Sequence, residues 1–161
     1  MSSYNDYNGE PITGSRRFLT DILRHEWGFK GYVVSDSEAL EFLYTKHHVA
    51  ASYEDACALA VNAGLNVRTQ FTQPSEFITP LRQAVASGKI SRETLDERVG
   101  EVLRVKFWLG LFDQPYRGDA ARVDRIVHSE PHRQLALDAA RQSMVLLKND
   151  SATLPLSAQM K

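Results

Sequence analysis

The stretch Gly31-Tyr32-Val33-Val34-Ser35-Asp36-Ser37-Glu38 decides how this chain is interpreted. Its residues 32–35 are β-branched, aromatic or small, and they lie between a glycine-marked turn and the carboxylate of Asp36. A short apolar run of this kind predicts a buried strand of a parallel sheet. Because functional groups of α/β folds gather at the carboxyl ends of strands, Asp36 is a candidate catalytic residue. The alternative is that Asp36 caps the next helix.

Outward from this stretch, strand-like and helix-like patterns alternate, which is typical of parallel βαβ units with right-handed crossovers. Residues 6–14 form a predicted loop, and residues 111–127 a linker. The other strand candidates are 1–5, 65–68 and 144–147. The predicted helices cover 15–27, 38–44, 52–63, 75–87, 91–109 and 129–142, with serine starts and glycine stops.

The composition is that of a soluble globular protein, with 161 residues, 43% hydrophobic and 24% charged. A formal net charge of -1 gives no reason to expect nucleic acid or an anionic membrane as a partner. No apolar run approaches the roughly 20 residues that span a bilayer. The single cysteine, Cys57, lies in an apolar helical pattern, which predicts a buried structural thiol. The polar residues after Met1 do not form a signal peptide, and we expect both ends of the chain to be cut ends.

Five stretches, in this order, resemble glycoside hydrolase family 3, the β-glucosidase and β-xylosidase family. They are MSSYN (1–5), WGFKGYVVSD (27–36), NAGLN (62–66), RVKFWLGLFD (104–113) and MVLLKND (144–150) with LPL (154–156). The first three are similar to the ends of the sixth, seventh and eighth barrel strands of the family. The fourth resembles the helix and linker that leave the barrel. The fifth resembles the first strand of a second domain.

The resemblance implies an α/β fold made of the last three β/α units of a TIM-type (β/α)8 barrel, followed by a linker into the start of an α/β sandwich domain. The implied boundaries are 1–110 for the barrel part, 111–128 for the linker and 129–161 for the sandwich part. The implied parent is a β-glucosidase-like enzyme that hydrolyses terminal β-glycosyl residues by double displacement, without a metal or an organic cofactor. Its compartment stays open, with the periplasm or secretion as the expectation.

By the same resemblance, Asp36 is the nucleophile, and Met1 and Tyr4 line the subsite for the terminal sugar of a β-linked oligosaccharide or glycoside. The acid/base of the family comes from the second domain, beyond this chain. We therefore expect the isolated chain to be inactive. Glu38 is a poor candidate for the acid, since it more plausibly supports the following helix.

The chain departs from the family pattern at two positions. Ser37 stands where the family often has tryptophan, and Asn66 stands where an acidic residue is usual. We expect Arg68 to help keep Asp36 ionised, and assign it to substrate binding; the alternative is a solvated surface arginine. His47 and His48 are adjacent, so they cannot form a metal pair. They are expected in a loop near the aglycone or simply in solvent.

Three other interpretations remain open. The parent could be a β-xylosidase. The chain could be a truncated, non-catalytic piece that only self-associates, because three parallel strands leave an unpaired edge and apolar helix faces. An aspartate at a strand end could also accept a phosphoryl group, but that chemistry needs further acids and a lysine around magnesium, and the stretch after Asp36 offers no second aspartate two residues on.

Overall fold

The computed structural model describes residues 1–116 and 118–159. Residue 117 of the predicted linker and residues 160–161 of the predicted sandwich part lie outside this description. The chain divides into two compact units, Met1–Pro115 and Tyr116–Lys161, and each is described by itself. The division falls inside the predicted linker, and the three domain boundaries stay a prediction.

Three extended segments lie side by side in the first unit, and residues 33–36 are the middle one. On one side, the Ser2 amide donates to the Val34 carbonyl (2.8 Å) and the Asp36 amide donates to the Ser2 carbonyl (3.3 Å). On the other side, the Ser35 amide donates to the Val67 carbonyl (2.8 Å) and the Val67 amide to the Val33 carbonyl (3.2 Å). Both patterns are those of parallel pairing, and the parallel bridge between Val34 and Val67 agrees.

Five helices accompany these segments, and their starts follow the predicted chemistry. The Ser52 hydroxyl accepts from the Asp55 amide, and the Ser91 hydroxyl accepts from the Thr94 amide, each at 3.1 Å. Gly64 stops its helix with φ +125°, a conformation that glycine adopts most easily. The helices are α1 (Arg17–Glu26), α2 (Phe42–Thr45), α3 (Tyr53–Ala63), α4 (Ser75–Ala86) and α5 (Arg92–Trp108). The first of them, α1, has the wide π-type turn, with a bond from the Trp27 amide to the Ile22 carbonyl (3.0 Å).

The core of this unit lies between the middle segment and the helices α2 and α3. Val33 is 4% exposed and Ser35 fully buried, whereas the alternate residues Val34 and Asp36 are half-buried. One face of the middle segment therefore packs on helices, and the other is partly open. The remaining core is formed mainly by Leu19, Leu40, Leu43, Ala56, Cys57, Ala60, Ala63 and Leu65.

Two local predictions in this unit are wrong. The predicted loop 6–14 contains a hairpin of β1 (Asp6–Tyr7) and β2 (Glu10–Pro11), which pair antiparallel across Asn8 and Gly9. These two residues have φ of +54° and +82°, the positive values that an Asn-Gly hairpin turn requires. The predicted helix 38–44 is reduced to α2, because Glu38 has φ +63° and residues 37–41 form turns.

The second unit is helical and open. Helix α6 (Ala120–Ile126) lies inside the predicted linker, and α7 (Glu130–Ser143) agrees with the predicted helix 129–142. The buried strand predicted at 144–147 is wrong, since these four residues are 62–91% exposed. Within the described part of the unit, no segment pairs with them, so their apolar side chains have nothing to cover them. No described helix of the chain is long and apolar enough to cross a membrane.

Candidate active site

Asp36 lies at the carboxyl end of the middle segment and is half-buried. Its backbone is fixed by the bond to Ser2, and its Oδ1 accepts from the Ser37 amide at 2.7 Å. The alternative of a helix cap is wrong, because Glu41 occupies the N-cap position of α2. The carboxylate is therefore held firmly at the mouth of the three segments, as a reacting group requires.

Tyr4 lies beside this carboxylate. Desolvation, followed by a hydrogen bond to Asp36 and the negative charge of Asp36, raises the pKa of the Tyr4 hydroxyl above its ordinary value. A tyrosine hydroxyl is protonated at neutral pH even at its ordinary pKa, so Tyr4 offers a hydrogen-bond donor beside Asp36. The Tyr4 ring packs on the Phe42 ring of α2, with centroids 5.3 Å apart. Met1, the other predicted subsite residue of this segment, is 82% exposed.

His47 reaches the same segment from the loop after α2. Its Nε2 lies 2.9 Å from the Tyr4 carbonyl oxygen, and His47 itself is half-buried. Because a carbonyl oxygen only accepts, Nε2 must carry the proton in this bond. The neighbouring His48 is exposed. The two histidines, for which the same environment was predicted from the sequence, therefore differ in burial and in hydrogen bonding.

Arg68 lies at the end of the third segment, and its side chain is only 6% exposed. The alternative of a solvated surface arginine is wrong. Its Nε donates to Glu41 Oε1 at 2.8 Å, and its Nη2 donates to the same oxygen and to the Thr72 hydroxyl. Among the residues that the structure describes, Arg68 makes its ion pair with Glu41 and none with Asp36. Its predicted role in keeping Asp36 ionised and its predicted role in substrate binding both stay predictions.

A buried cluster lies behind this ion pair. The Tyr53 hydroxyl donates to Glu41 Oε1 at 3.3 Å, and the Arg68 guanidinium carbon lies 5.9 Å from the centre of the Tyr53 ring. Burial raises the pKa of Tyr53 and raises that of the Cys57 thiol to about 12. Cys57 is fully buried, which confirms its prediction as a structural thiol.

A second buried ion pair lies at the opposite, amino end of the segments. Arg24 donates to both carboxylate oxygens of Glu101, from Nε at 2.7 Å and from Nη2 at 2.9 Å. Asn66 joins this pair, and its Oδ1 also accepts from the Val33 amide at 2.8 Å. A cavity of about 330 Å³ borders Arg24, Arg98 and Glu101.

The sequence interpretation missed Glu41, Tyr53 and Arg24. Glu41 stands 27 positions from Arg68, and Arg24 stands 77 positions from Glu101. Side-chain pairs at such separations leave no periodic signal in the sequence. Within the described ranges, no group of three or more His, Cys, Asp or Glu residues is arranged to hold a metal ion.

Comparison with known proteins gives a consistent set of relatives. The model of the glycosyl hydrolase family 3 N-terminal domain matches residues 1–105. The periplasmic β-glucosidase of Salmonella typhimurium is 41% identical over 160 residues, which are 97% of this chain and 20% of that protein. A putative β-xylosidase of Formosa agariphila is 38% identical over 157 residues, covering 98% of this chain and 20% of that protein.

Solved structures agree with these relatives. The β-glucosidase from Listeria innocua is 33% identical, with a TM-score of 0.79 over 96% of this chain and 21% of that one. The same enzyme has been solved in complex with glucose, and a mutant of it in complex with laminaribiose. The chain thus spans about a fifth of the length of the relatives that it matches.

Proposed function

Because this chain belongs to glycosyl hydrolase family 3, we propose that it is the nucleophile-bearing part of a retaining β-glycosidase, with Asp36 as the nucleophile. One observation carries the proposal. The half-buried Asp36 carboxylate lies at the carboxyl end of the middle parallel segment, next to the segment that carries Tyr4. We assign residues 1–110 to the last three β/α units of a (β/α)8 barrel, and residues 129–161 to the start of a sandwich domain.

The proposed reaction has two steps. The Asp36 carboxylate attacks the anomeric carbon of the terminal sugar, and the bond from this carbon to the leaving oxygen breaks while a second carboxylic acid protonates that oxygen. In the second step, the conjugate base of that second carboxylic acid takes a proton from water. The water oxygen attacks the anomeric carbon, and the bond from this carbon to Asp36 breaks. Two inversions leave the product with the β configuration.

The acid/base is assigned to protein outside these 161 residues. A retaining glycosidase holds its two carboxyl groups about 5–5.5 Å apart. Glu38 is near in sequence, but its carboxylate is exposed and its backbone turns away from the helical conformation with φ +63°. Tyr4 and Met1 are assigned to the sugar subsite, with the Tyr4 hydroxyl donating to Asp36.

The substrate is proposed to be a terminal β-glucosyl residue of an oligosaccharide or aryl glycoside. β-Xylosidase activity is the second candidate, since several relatives, including those of Formosa agariphila and Arabidopsis thaliana, bear that name. The ratio of kcat/KM for p-nitrophenyl β-glucoside to that for the β-xyloside decides between them. A ratio below one for the complete polypeptide would favour the xylosidase.

The nucleophile is tested by trapping. The complete polypeptide encoded by the reading frame that contains this chain is incubated with a 2-deoxy-2-fluoro β-glucoside and the matching xyloside. Fluorine at this position slows both steps, so the covalent intermediate accumulates and peptide mass spectrometry identifies the labelled residue. The expected label is on Asp36, and Asp36→Ala is expected to lose at least about 10³-fold in kcat.

Glu38→Gln is the control, because it removes the neighbouring carboxylate, which is exposed, and leaves Asp36 in place. It is expected to keep both the label on Asp36 and most of the activity. Azide, supplied to Asp36→Ala, should yield the α-glycosyl azide, since the small anion then occupies the place of the missing carboxylate. A label on any other residue would refute the assignment of Asp36.

The 161-residue chain alone is predicted to be inactive, because it supplies a nucleophile without an acid/base. Release of p-nitrophenol from p-nitrophenyl β-glucoside or β-xyloside by the purified chain would contradict this prediction, if Asp36→Ala abolishes the release. The alternative of a non-catalytic piece that self-associates is favoured by the exposed apolar residues 144–147. Analytical ultracentrifugation of the chain distinguishes a monomer from such an assembly.

A further inference from the structure

We infer that residues 37–48 form a bracket that fixes Tyr4 and Asp36 relative to each other, and that His47 and Glu41 are its positioning residues. The bracket is the turn that follows Asp36, the short helix α2 and the loop that ends at His48. This inference rests on the proposed function of Asp36. Neither positioning residue is proposed to touch the substrate.

The first anchor joins the bracket to the segment that carries Tyr4. The His47 Nε2 proton is donated to the Tyr4 carbonyl at 2.9 Å, and the Phe42 ring packs on the Tyr4 ring at 5.3 Å. One contact holds the backbone of Tyr4 and the other holds its side chain. Together they fix the position of Tyr4 on the segment beside Asp36.

The second anchor joins the bracket to the third segment. Glu41 accepts from Arg68 Nε at 2.8 Å and from Tyr53 at 3.3 Å, and its side chain is 21% exposed. Its other oxygen, Oε2, is buried and has no partner among the described residues. Burying a carboxylate in this way is costly unless its charge is paired, so the Arg68 partner keeps Glu41 in place.

The two anchors lie on opposite sides of Asp36. Near its end the middle segment has main-chain bonds to both neighbours, and the Ser35 hydroxyl also accepts from the Thr69 amide at 3.0 Å. Glu38, two residues after Asp36, has φ +63°. Beyond this turn, the bracket is held by the buried side chains of Leu40 and Leu43 and by its two anchors. The anchors therefore act together with the main-chain bonds in holding the Tyr4 segment beside Asp36.

The test measures the second-order rate at which the 2-fluoro β-glucoside labels Asp36 in the complete polypeptide, together with kcat, KM and the melting temperature. His47→Leu removes the donor and is expected to slow labelling about tenfold, since small displacements of a reacting group have large effects. His47→Gln carries an amide that can reach the same carbonyl, and is expected to restore the rate to within about threefold. His48→Ala, at the exposed neighbour, is the control and should label like the wild type.

Glu41→Gln tests the second anchor and is also expected to slow labelling about tenfold. If the bracket acts as a unit, the double variant His47→Leu/Glu41→Gln should be slowed clearly less than the product of the two single effects. Where His47→Leu gives no soluble enzyme, His47→Asn replaces it, because its shorter side chain falls short of the carbonyl.

Three results would overturn the bracket. In the first, His47→Leu and Glu41→Gln are labelled at the wild-type rate and differ from the wild type only by a lower melting temperature. In the others, His47→Gln is labelled as slowly as His47→Leu, or the double variant is slowed by the full product of the two single effects. In each of these cases Asp36 still carries the label, so the proposed function stands. A label on another residue instead refutes the proposed function, and the bracket with it.

Discussion

A buried arginine–glutamate pair lies at each end of the parallel segments, but the two pairs differ in their surroundings. At the amino end, Arg24 and Glu101 are 9% and 12% exposed, and the carboxylate uses both of its oxygens. At the mouth, Arg68 binds a single oxygen of Glu41, and the other oxygen is left without a described partner.

We expect this difference to separate a stabilising pair from one that positions the proposed nucleophile. A fully satisfied buried pair contributes to the folded state when both partners are present, and breaking it is costly. A partly satisfied pair is a weaker source of stability. Its position next to the residues that follow Asp36 suits it to hold a reacting group instead.

The largest expected effect is at the amino end. Among the described residues, Arg24→Met leaves the buried Glu101 with Arg98, at 3.4 Å, as its remaining ion-pair partner, and is expected to lower the free energy of unfolding by about 3–5 kcal/mol. Urea denaturation of the 161-residue chain measures it. Arg16→Met, at an exposed arginine of the same cavity, is the control and should change stability by less than about 0.5 kcal/mol. Equal losses in the two variants would remove the contrast between a buried and an exposed arginine.

The mouth should respond differently. Arg68→Met is expected to cost about 2 kcal/mol in stability and to reduce kcat/KM of the complete enzyme at least tenfold, an order of magnitude in keeping with a displaced reacting group. Arg68→Lys keeps the charge but loses the forked geometry of the guanidinium, so its stability and its kcat/KM should lie between those of the wild type and of Arg68→Met. An unchanged pH–rate profile and an unchanged kcat/KM for Arg68→Met would show that this pair is purely structural.

The pH dependence of stability sharpens the same comparison. Burial opposes the charged form of Glu101, but the bonds from Arg24 and Asn66 prevail and lower its pKa in the folded chain. Its contribution is therefore present above the ordinary carboxyl pKa and is lost as the pH falls through the lowered value. Between about pH 6 and pH 3 the unfolding free energy of the wild type should fall more steeply than that of Glu101→Gln. Equal slopes of the unfolding free energy against pH for the wild type and Glu101→Gln would contradict a lowered pKa of Glu101 in the folded chain.

The last prediction concerns the reactivity of the Cys57 thiol, in the cluster behind the mouth. Burial raises the pKa of Cys57 to about 12, so its thiol should react with Ellman's reagent at neutral pH only after unfolding. The expected native rate is at least about 10³-fold below that in urea. Rapid labelling of the native chain would show that the helices α2 and α3 open readily around Tyr53 and Glu41. Arg68→Met, by loosening this cluster, should speed native labelling.

Local chemistry made part of this architecture predictable. Ser52 and Gly64 mark the start and the end of α3 because a hydroxyl cap and a positive φ are properties of single residues. The position of Asp36 followed from the apolar run before it. The Asn8–Gly9 hairpin was equally local and was overlooked, although that dipeptide is a strong turn signal.

The rest depended on distant partners. Nothing in the sequence marks Glu41 and Arg68 as a pair, since they meet only because α2 folds back beside the end of the third segment. Residues 144–147 show the opposite error, because an apolar run predicts burial only where something covers it. In the described part of the second unit, all residues are exposed or half-buried.

The hydrogen bonds of the Asn66 side chain limit which substitutions this position accepts during evolution. Its amide oxygen accepts from Val33 and Arg24, while its amide nitrogen donates to Glu101 and to the Arg98 carbonyl. A carboxylate, which the resemblance to the family predicts at this position, cannot donate and would face Glu101 with a like charge. An exchange from asparagine to aspartate here would thus require a compensating change at position 101, so the two sites are expected to evolve as a pair.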